Sequence, residues 1–570
     1  MKQISTFYFF ILILIGTIFH ILFMYSMFDI FFIFPLNYGM TPHSASLSEN
    51  EIPSNRVVIM ALDGVRADVF FETIGNGLAP FLKDVVENRG VYGVSHTKVP
   101  TETKPDFIAM FSGHFSDASL ALKDLYSKKV PSDSIFNESN HAWGIGVDAC
   151  IFQEVATQME CVPFKSVEDF SDNKAEMNNY KIFDTMIDLL NKAKNDKNSE
   201  LYKNLNKKKI SFLYHIIQTD TIGHKDGPKS QRFVNHLSGL DSYYKKLEEA
   251  FNDFYRDNKT TFIITADHGM DDRKAHGDGH PDCTRTPYVI WGAGIRKAIR
   301  REKKPLDEDT PSNWNSDHIV RRDISQIDMA PLFAGIMDIN FPMNSLGIIP
   351  LDIVDASDKV KSKMIYTNFL ELYEIYNIKN NAQSKSIAFK PYQPLIDSDK
   401  QIKEILNDIN KDNYIDAINK TQILINKTLA GMDYILHYDR VYLKTIVVLG
   451  YILWSLYIFT FIEMKNKNCL NKLFFFNTKD SIFVSIFSLL FTLSLCYYLY
   501  IRISPIMYYL YTLFPCYFLW RILSNLKYLK SFFVLNKENK KSTLQNICNF
   551  IIVFLLFLSL VSIYILFILT

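Results

Sequence analysis

Apolar sequence is concentrated at the two ends of this chain, and that distribution limits its fold more than any single motif does. From Phe7 to Tyr25 the run is almost uninterrupted, and as a helix it is long enough to cross a hydrocarbon core of about 30 Å. Four further candidate spans lie near the other end: Thr445–Ile462, Ser481–Ile501, Ile503–Leu523 and Ile547–Thr570. The third holds Pro505 and Pro515, which predict a kink or an irregular stretch. The N-terminal run reads as an uncleaved signal anchor in preference to a cleaved signal peptide, because no small-x-small site follows it. Short Lys-rich loops stay cytosolic. Lys465, Lys467, Lys472 and Lys479 fall in one such loop, and Lys527, Lys530, Lys537, Lys540 and Lys541 in another. Threading five spans on that rule leaves Lys2 cytosolic and the body of the chain in a lumen or outside. The expected organisation is a cytosolic tip and anchor over 1–30, a lumenal body over 31–360, a helical extension and connector over 361–440, and a multispan region over 441–570.

Hydrophobic residues make up 48% of the 570, yet the formal net charge is only +1, which argues against a dedicated nucleic-acid binder. Cys469, Cys496, Cys516 and Cys548 belong to the membrane region. Cys150, Cys161 and Cys283 lie in the oxidising compartment, where Cys150–Cys161 is the expected pair and Cys283 is left over. Asn137, Asn258, Asn419 and Asn426 each begin an N-x-S/T triplet, a candidate glycan acceptor.

The body alternates strand and helix patterns. Arg56–Leu62 is a short β-branched run ending at Asp63-Gly64. Ile210–Ile217 ends at Gln218-Thr219-Asp220, Thr260–Thr265 ends at Ala266-Asp267-His268-Gly269, and Pro287–Gly292 makes a fourth strand. Helical periodicity marks Phe233–Phe254, through Leu237, Leu240, Tyr244, Leu247 and Phe251, and also Tyr180–Lys194. Such alternation predicts an α/β fold, a mostly parallel sheet covered by helices, whose strand carboxyl ends converge on a ligand-binding edge. Segment Phe369–Ile435 is Asn- and Lys-rich with helical patches at Ile402–Ile409 and Tyr414–Leu429, and carries no nameable chemistry.

Three strands thus end in an aspartate. Asp63, Asp220, His224, Asp267, His268, His276 and His280 offer the oxygen and imidazole donors that zinc takes, and two ions about 3.5–4 Å apart would clamp a displacement at phosphorus. Taken singly, an aspartate after a strand is a turn or cap residue, and a lone histidine a surface or core residue. Their concentration at three strand ends, in a chain with only 13 histidines, favours a metal site. A nucleophile is expected in Val99-Pro100-Thr101-Glu102-Thr103-Lys104-Pro105, between a strand (Val91–Val94) and an apolar helix (Phe107–Phe111). A hydroxyl at a helix N-terminus gains positive potential, and metal contact would make it nucleophilic; a plain N-cap threonine is the competing role.

Together these residues resemble the alkaline-phosphatase superfamily: Asp-Gly after the first strand, Thr-x-Pro, Asp-x-x-x-His, Asp-His-Gly-Met and a later His-Gly, in order. Within it the chain is similar to the glycosylphosphatidylinositol (GPI) ethanolamine-phosphate transferases, most of all the type acting on the first mannose. The likeness rests on Phe28-Asp29-Ile30, Pro35-Leu36, Gly39-Met40, Asp63-Gly64-Val65-Arg66-Ala67-Asp68, Ser95–Glu102 and Phe136-Asn137-Glu138-Ser139. It continues through Asp220-Thr221-x-Gly223-His224, Asp267–Met270, His276-Gly277-x-Gly279-His280-Pro281, Trp291–Gly294 and Asn344-Ser345-x-Gly347-Ile348-x-Pro350. The resemblance implies two divalent ions, usually zinc. One would use Asp63, Thr103, Asp267 and His268; the other Asp220, His224 and a third histidine, with His276 favoured over His280. It implies Thr103 as nucleophile in preference to Thr101, taking phosphoethanolamine from phosphatidylethanolamine and passing it to a mannose of a GPI-lipid acceptor. The implied location is the endoplasmic reticulum membrane, multi-pass, with the catalytic body lumenal.

Two departures stand out. Relatives of this type place Gly-His after the proline, where this chain has Asp106-Phe107, and they carry a longer multispan C-terminus than four spans. A phosphodiesterase or nucleotide pyrophosphatase of the same superfamily would use the same residues with water as acceptor. A non-catalytic membrane scaffold is the third reading, disfavoured because every expected ligand position is filled.

Overall fold

The computed structural model describes residues 2–526, apart from 32–36, 38, 117–132, 147–158, 163–173, 302–313, 315, 317, 467–469 and 471–478. Eight strands form one sheet: β1 Arg56–Leu62, β2 Gly90–His96, β3 His141–Ile145, β4 Met159–Val162, β5 Ile210–Ile216, β6 Thr260–Ala266, β7 Arg285–Gly292 and β8 Ile324–Ser325. Their order is β4-β3-β5-β1-β6-β7-β2-β8, and only β7 runs against its neighbours. The mostly parallel α/β sheet expected from the sequence is therefore present, and its central strands are buried on both faces, which is why they read as unbroken apolar runs.

Side chains alternate across the sheet. Val58, Met60 and Leu62 of β1, with Phe212, Tyr214 and Ile216 of β5, share a core with Leu237, Leu240, Tyr244, Leu247 and Phe251 of the helix Gln231–Tyr255. Ser230 caps that helix by accepting from the Phe233 amide at 3.2 Å, and Arg256 ends it in the left-handed conformation. The helix Met329–Met337, buried along its whole length, also packs on β1. The expected helix at Tyr180–Lys194 lies within Lys174–Asn195, and the apolar helix expected at Phe107–Phe111 spans Thr103–Ser112. The segment expected to be helical contains Asp358–Gln383, Ser398–Asn410 and Tyr414–Leu436.

The chain divides into two units. One contains the sheet, within Pro35–Ile378, together with Pro394–Gly431. In the other are the helices Lys2–Phe31, Arg440–Asn466, Lys479–Ile501 and Ile506–Ser524. Among the described residues three helices are long and apolar enough to cross a membrane, at Thr6–Ile30, within Tyr414–Lys465, and at Ile482–Ile501. The helix Ile506–Ser524 is not one of them: its tyrosines and Arg521 dilute its apolar character. Pro505 sits at its N-cap and Pro515 inside it, so the irregular stretch falls at Arg502–Pro505 while the helix continues through Pro515. The span expected at Ile547–Thr570 lies outside the described residues. Within this unit a Cβ on Gly450 would meet the Phe23 ring at 2.3 Å, so glycine is what lets the two helices approach there. Tyr511 donates to Asp29 at 2.8 Å, and Arg502 pairs with Asp439.

Cys161 is disulfide-bonded and Cys283 is free; Cys150 lies outside the described residues. Asn258, Asn419 and Asn426 are exposed, whereas the sequon at Asn137 ends in a buried Ser139 that is hydrogen-bonded to Ile135 and Ser211.

Candidate active site

The carboxyl ends of β5, β1 and β6 lie side by side, with Ile216, Leu62 and Ala266 in register. The next residue of β1 is Asp63 and the next of β6 is Asp267; after β5 the chain turns directly into the helix Gln218–Asp226, which carries Asp220 and His224. Because β7 runs antiparallel to β6, the link Asp267–Thr284 begins and ends at this same edge, and it brings His268, His276 and His280 there. β2 ends opposite the start of β7, at His96 and Arg285, so the stretch leading to Thr103 starts at the same place.

Gly64 makes the close packing feasible. Its φ is +68°, and a Cβ there would lie 2.7 Å from Asp220 Oδ1. The Gly64 amide donates to Asp267 Oδ1 at 3.1 Å, and Thr219 Oγ1 donates to the Asp63 carbonyl at 2.6 Å. Behind these residues Arg66, only 3% exposed, pairs with Asp68, Asp272 and Asp282 at 2.7, 2.9 and 2.8 Å. That ion-pair set joins the loop after β1 to the loop after β6.

Two donor groups result. The ligating atoms of Asp63, Asp267 and His268 lie within 4.8 Å of one another, as do those of Asp220, His224 and His276. The groups adjoin, with the His268 and His276 rings stacked at 4.1 Å between centroids. Thr103, the first residue of its helix, places Oγ1 3.5 Å from Asp63 Oδ2. His280 belongs to neither group; it is half exposed at the start of the short helix Pro281–Thr284, where Nδ1 accepts from the Asp282 amide. The structure thus brings His276, and not His280, beside Asp220 and His224.

The imidazoles show what the groups are suited to hold. His224 Nδ1 donates to the Lys274 carbonyl at 2.8 Å, His276 Nδ1 to the Thr101 carbonyl at 2.9 Å, and His268 Nδ1 to the Gly269 carbonyl at 3.1 Å. A carbonyl only accepts, so each Nδ1 carries the proton and each Nε2 presents a lone pair. Two of those lone pairs, on His224 and His276, face each other across 3.2 Å. The buried atoms Asp267 Oδ2, His268 Nε2 and Asp220 Oδ1 have no hydrogen-bond partner. Converging lone pairs and carboxylates of this kind are what a cation satisfies, and the set fits two divalent ions. Burial, with His276 alongside, pushes the His268 imidazole down to about 4, so it is neutral; burial also raises the Asp267 and Asp220 carboxyls.

Thr101 and Thr103, of which the resemblance favours Thr103 as nucleophile, have different surroundings in space. Thr101 is fully buried, accepts from the Gly277 amide at 2.8 Å and donates to the Asp278 carbonyl at 2.9 Å, so its hydroxyl clasps the His276 loop. Thr103 is the one whose hydroxyl faces the donors. The Asp106-Phe107 departure points inward: Asp106 accepts from Thr97 and burial holds its carboxyl well above the usual range, while Phe107 packs edge-on to His215 at 4.9 Å. Sequence reasoning missed Gln326, whose amide donates to the Asp267 carbonyl at 2.5 Å, and His215 beneath Asp63. Gln326 comes from the far end of the domain and nothing in its own neighbourhood marks it. His215 was hidden inside an apolar strand.

Residues 430–567 match the family described as phosphatidylinositolglycan class N (PIG-N), and residues 123–283 match type I phosphodiesterase / nucleotide pyrophosphatase. The chain is 35% identical over 520 residues to GPI ethanolamine phosphate transferase 1 of Schizosaccharomyces pombe, covering 87% of this chain and 54% of that protein. To GPI ethanolamine phosphate transferase 1 of Homo sapiens it is 34% identical over 458 residues, covering 78% of this chain and 48% of that protein. Among solved structures an alkaline-phosphatase-superfamily protein from Vibrio parahaemolyticus is 14% identical with a TM-score of 0.36, covering 56% of this chain and 74% of that one. A mutant of the alkaline phosphatase PafA is 11% identical with a TM-score of 0.37, covering 56% and 100%; neither likeness is close enough to carry an argument. The chain is thus a homologue, over most of its own length, of GPI ethanolamine phosphate transferase 1 proteins, and it spans about half the length of the curated relatives it matches.

Proposed function

We propose that this chain moves phosphoethanolamine from phosphatidylethanolamine to a mannose of a GPI-anchor precursor, the first mannose by its resemblance, through a covalent intermediate on Thr103. The observation that carries this reading is the position of the Thr103 hydroxyl, at a helix start and 3.5 Å from Asp63, beside two adjoining donor groups. Asp63, Thr103, Asp267 and His268 would hold one divalent ion and Asp220, His224 and His276 the other, zinc by donor type. Bound there, the ions would supply Lewis-acid charge to the threonine oxygen and the phosphoryl oxygens.

The chain's own groups account for the rest. Thr103 Oγ attacks phosphorus and loses its proton; the diacylglycerol oxygen leaves and takes one up. A mannose hydroxyl then attacks the same phosphorus, gives up its proton, and the Thr103 oxygen leaves and is reprotonated. Free N–H groups in the first turn of Thr103–Ser112 add positive potential for the phosphate. Thr101 keeps the His276 loop against this turn through both its hydroxyl and its carbonyl. Both substrates are lipids, which gives the apolar helices a reason to exist. The reading places the protein in the endoplasmic reticulum membrane, with the body over 31–360 lumenal and glycosylated and the region over 441–570 spanning the bilayer.

The phosphodiesterase match over 123–283 favours one second reading, the same machinery with water as acceptor. Purified protein in detergent, given zinc and labelled phosphatidylethanolamine without acceptor, separates the two. Label on an intact peptide containing Thr103, discharged by a mannosylated GPI precursor, is the expected result. Rapid release of free phosphoethanolamine would favour hydrolysis, and bound metal with neither label nor turnover would reject this donor.

A further inference from the structure

His215 is the penultimate residue of β5, with no solvent exposure, and its ring is the one titratable group on the inward face of a strand otherwise filled by apolar and small side chains. Its neighbours along β5 divide by parity. Phe212, Tyr214 and Ile216 join the core under the helix Gln231–Tyr255, so His215 lies on the opposite side, where Phe107 of the helix Thr103–Ser112 meets its ring edge-on at 4.9 Å. A fully buried imidazole costs free energy unless its nitrogens are used. Here Nε2 lies 3.3 Å from Asp63 Oδ2.

The two oxygens of Asp63 therefore face different things. Oδ1 lies 3.4 Å from His268 Nε2, toward the donors; Oδ2 faces Thr103 Oγ1 at 3.5 Å and His215 Nε2 at 3.3 Å. A carboxylate can rotate about its Cβ–Cγ bond and offer either oxygen or both to an ion. A donor set against Oδ2 from behind would fix the plane and leave Oδ1 for coordination. The backbone is held as well, because Ala61 of β1 is in register with His215 and Thr219 donates to the Asp63 carbonyl.

From this arrangement we infer that His215 is a positioning residue for the Asp63–Asp267–His268 site, donating from Nε2 to Asp63 Oδ2 so that Asp63 binds a divalent ion in one orientation while Thr103 stays alongside. This rests on the metal reading given above. Outer-shell partners of this kind are worth roughly 10- to 100-fold in metal affinity.

The test uses the full chain in detergent, stripped and titrated with chelator-buffered zinc, and separately with cobalt to record its visible spectrum. Wild type should bind two ions. His215→Leu, which keeps bulk but removes the donor, should weaken one of the two by about 10- to 100-fold and alter the cobalt bands of that site. His215→Gln, whose side-chain amide reaches near the Nε2 position, should recover most of that loss. Thermal unfolding of the metal-free proteins controls for packing. Two ions bound by His215→Leu with wild-type affinity and spectrum would overturn the positioning role while leaving the metal site intact. Equal losses in Leu and Gln variants, matched by equal drops in metal-free stability, would reduce His215 to core packing. Wild type that binds no ion would overturn the metal reading and this inference with it.

Discussion

Two clusters that draw on the loop after β6 hold similar atoms and have opposite characters. Asp271, Asp278 and Cys283 have ligating atoms within 4.8 Å of one another, as do Asp220, His224 and His276. In the first cluster Arg273 lies between the carboxylates, reaching Asp271 at 2.5 Å and Asp278 at 2.9 Å; it holds Asp271 below its ordinary range, and the His280 amide together with Arg273 does the same for Asp278. The Cys283 thiol is pushed up to about 12 by burial and by those acids, so it stays a neutral thiol beside them. In the second, the Nδ1 atoms of His224 and His276 are tied to carbonyls and their Nε2 atoms face each other across 3.2 Å. Donor identity does not make a metal site; uncompensated convergence does.

The largest break in that comparison comes from the proposed nucleophile. Thr103→Ala should lower transfer by at least about 10⁴-fold with the fold retained, read by label transfer alongside circular dichroism. His276→Ala removes a converging lone pair and should cost about 100-fold in turnover and one bound ion, measured by elemental analysis. His280→Ala, outside both groups, should leave both within about threefold. If His280→Ala instead removed an ion, the assignment of the third ligand would be reversed.

A third cluster sharpens the contrast through stability. Glu371 is fully buried and receives the Asn344 amide at 2.9 Å; burial, and then the nearby Glu374, Asp133 and Glu138, push its carboxyl up to about 9. A carboxyl raised in the folded state stabilises below its unfolded value near 4.5, and that stability is lost as pH rises toward 9. Glu371→Gln should therefore make the protein more stable by roughly 3 kcal/mol at neutral pH, with the gain fading in acid. Denaturant unfolding across pH 4–9 checks it. The smallest effect belongs to Arg273→Ala: a lower unfolding midpoint at neutral pH that converges with wild type in acid, once Asp271 and Asp278 protonate.

The strand-edge residues were legible because they sit where chain pattern and chemistry coincide. Asp63 and Asp267 directly follow apolar runs and Asp220 comes three residues after one, and parallel pairing brings run ends together. β3 and β4 were not seen: His141–Ile145 is five residues with a glycine, and Met159–Val162 only four, too short for a period to emerge. The resemblance favoured Thr103 over Thr101 from sequence, but the hydrogen bonds of Thr101 to the His276 loop were not legible there, because they join segments far apart in the chain. The reversed direction of β7 was equally invisible, because strand direction leaves no mark on local composition.

That reversal bears on how such a protein diverges. A parallel partner for β6 would have required a crossover to the far edge of the sheet and back. An antiparallel one lets everything between Ala266 and Arg285 remain at the reaction edge, with exposed turns at Asp272–Lys274 and Asp278–His280. Residues can be gained or lost at those turns without shifting the register of any strand. Evolution, or an engineer, can thus retune what enters the site while the sheet beneath it stays unchanged.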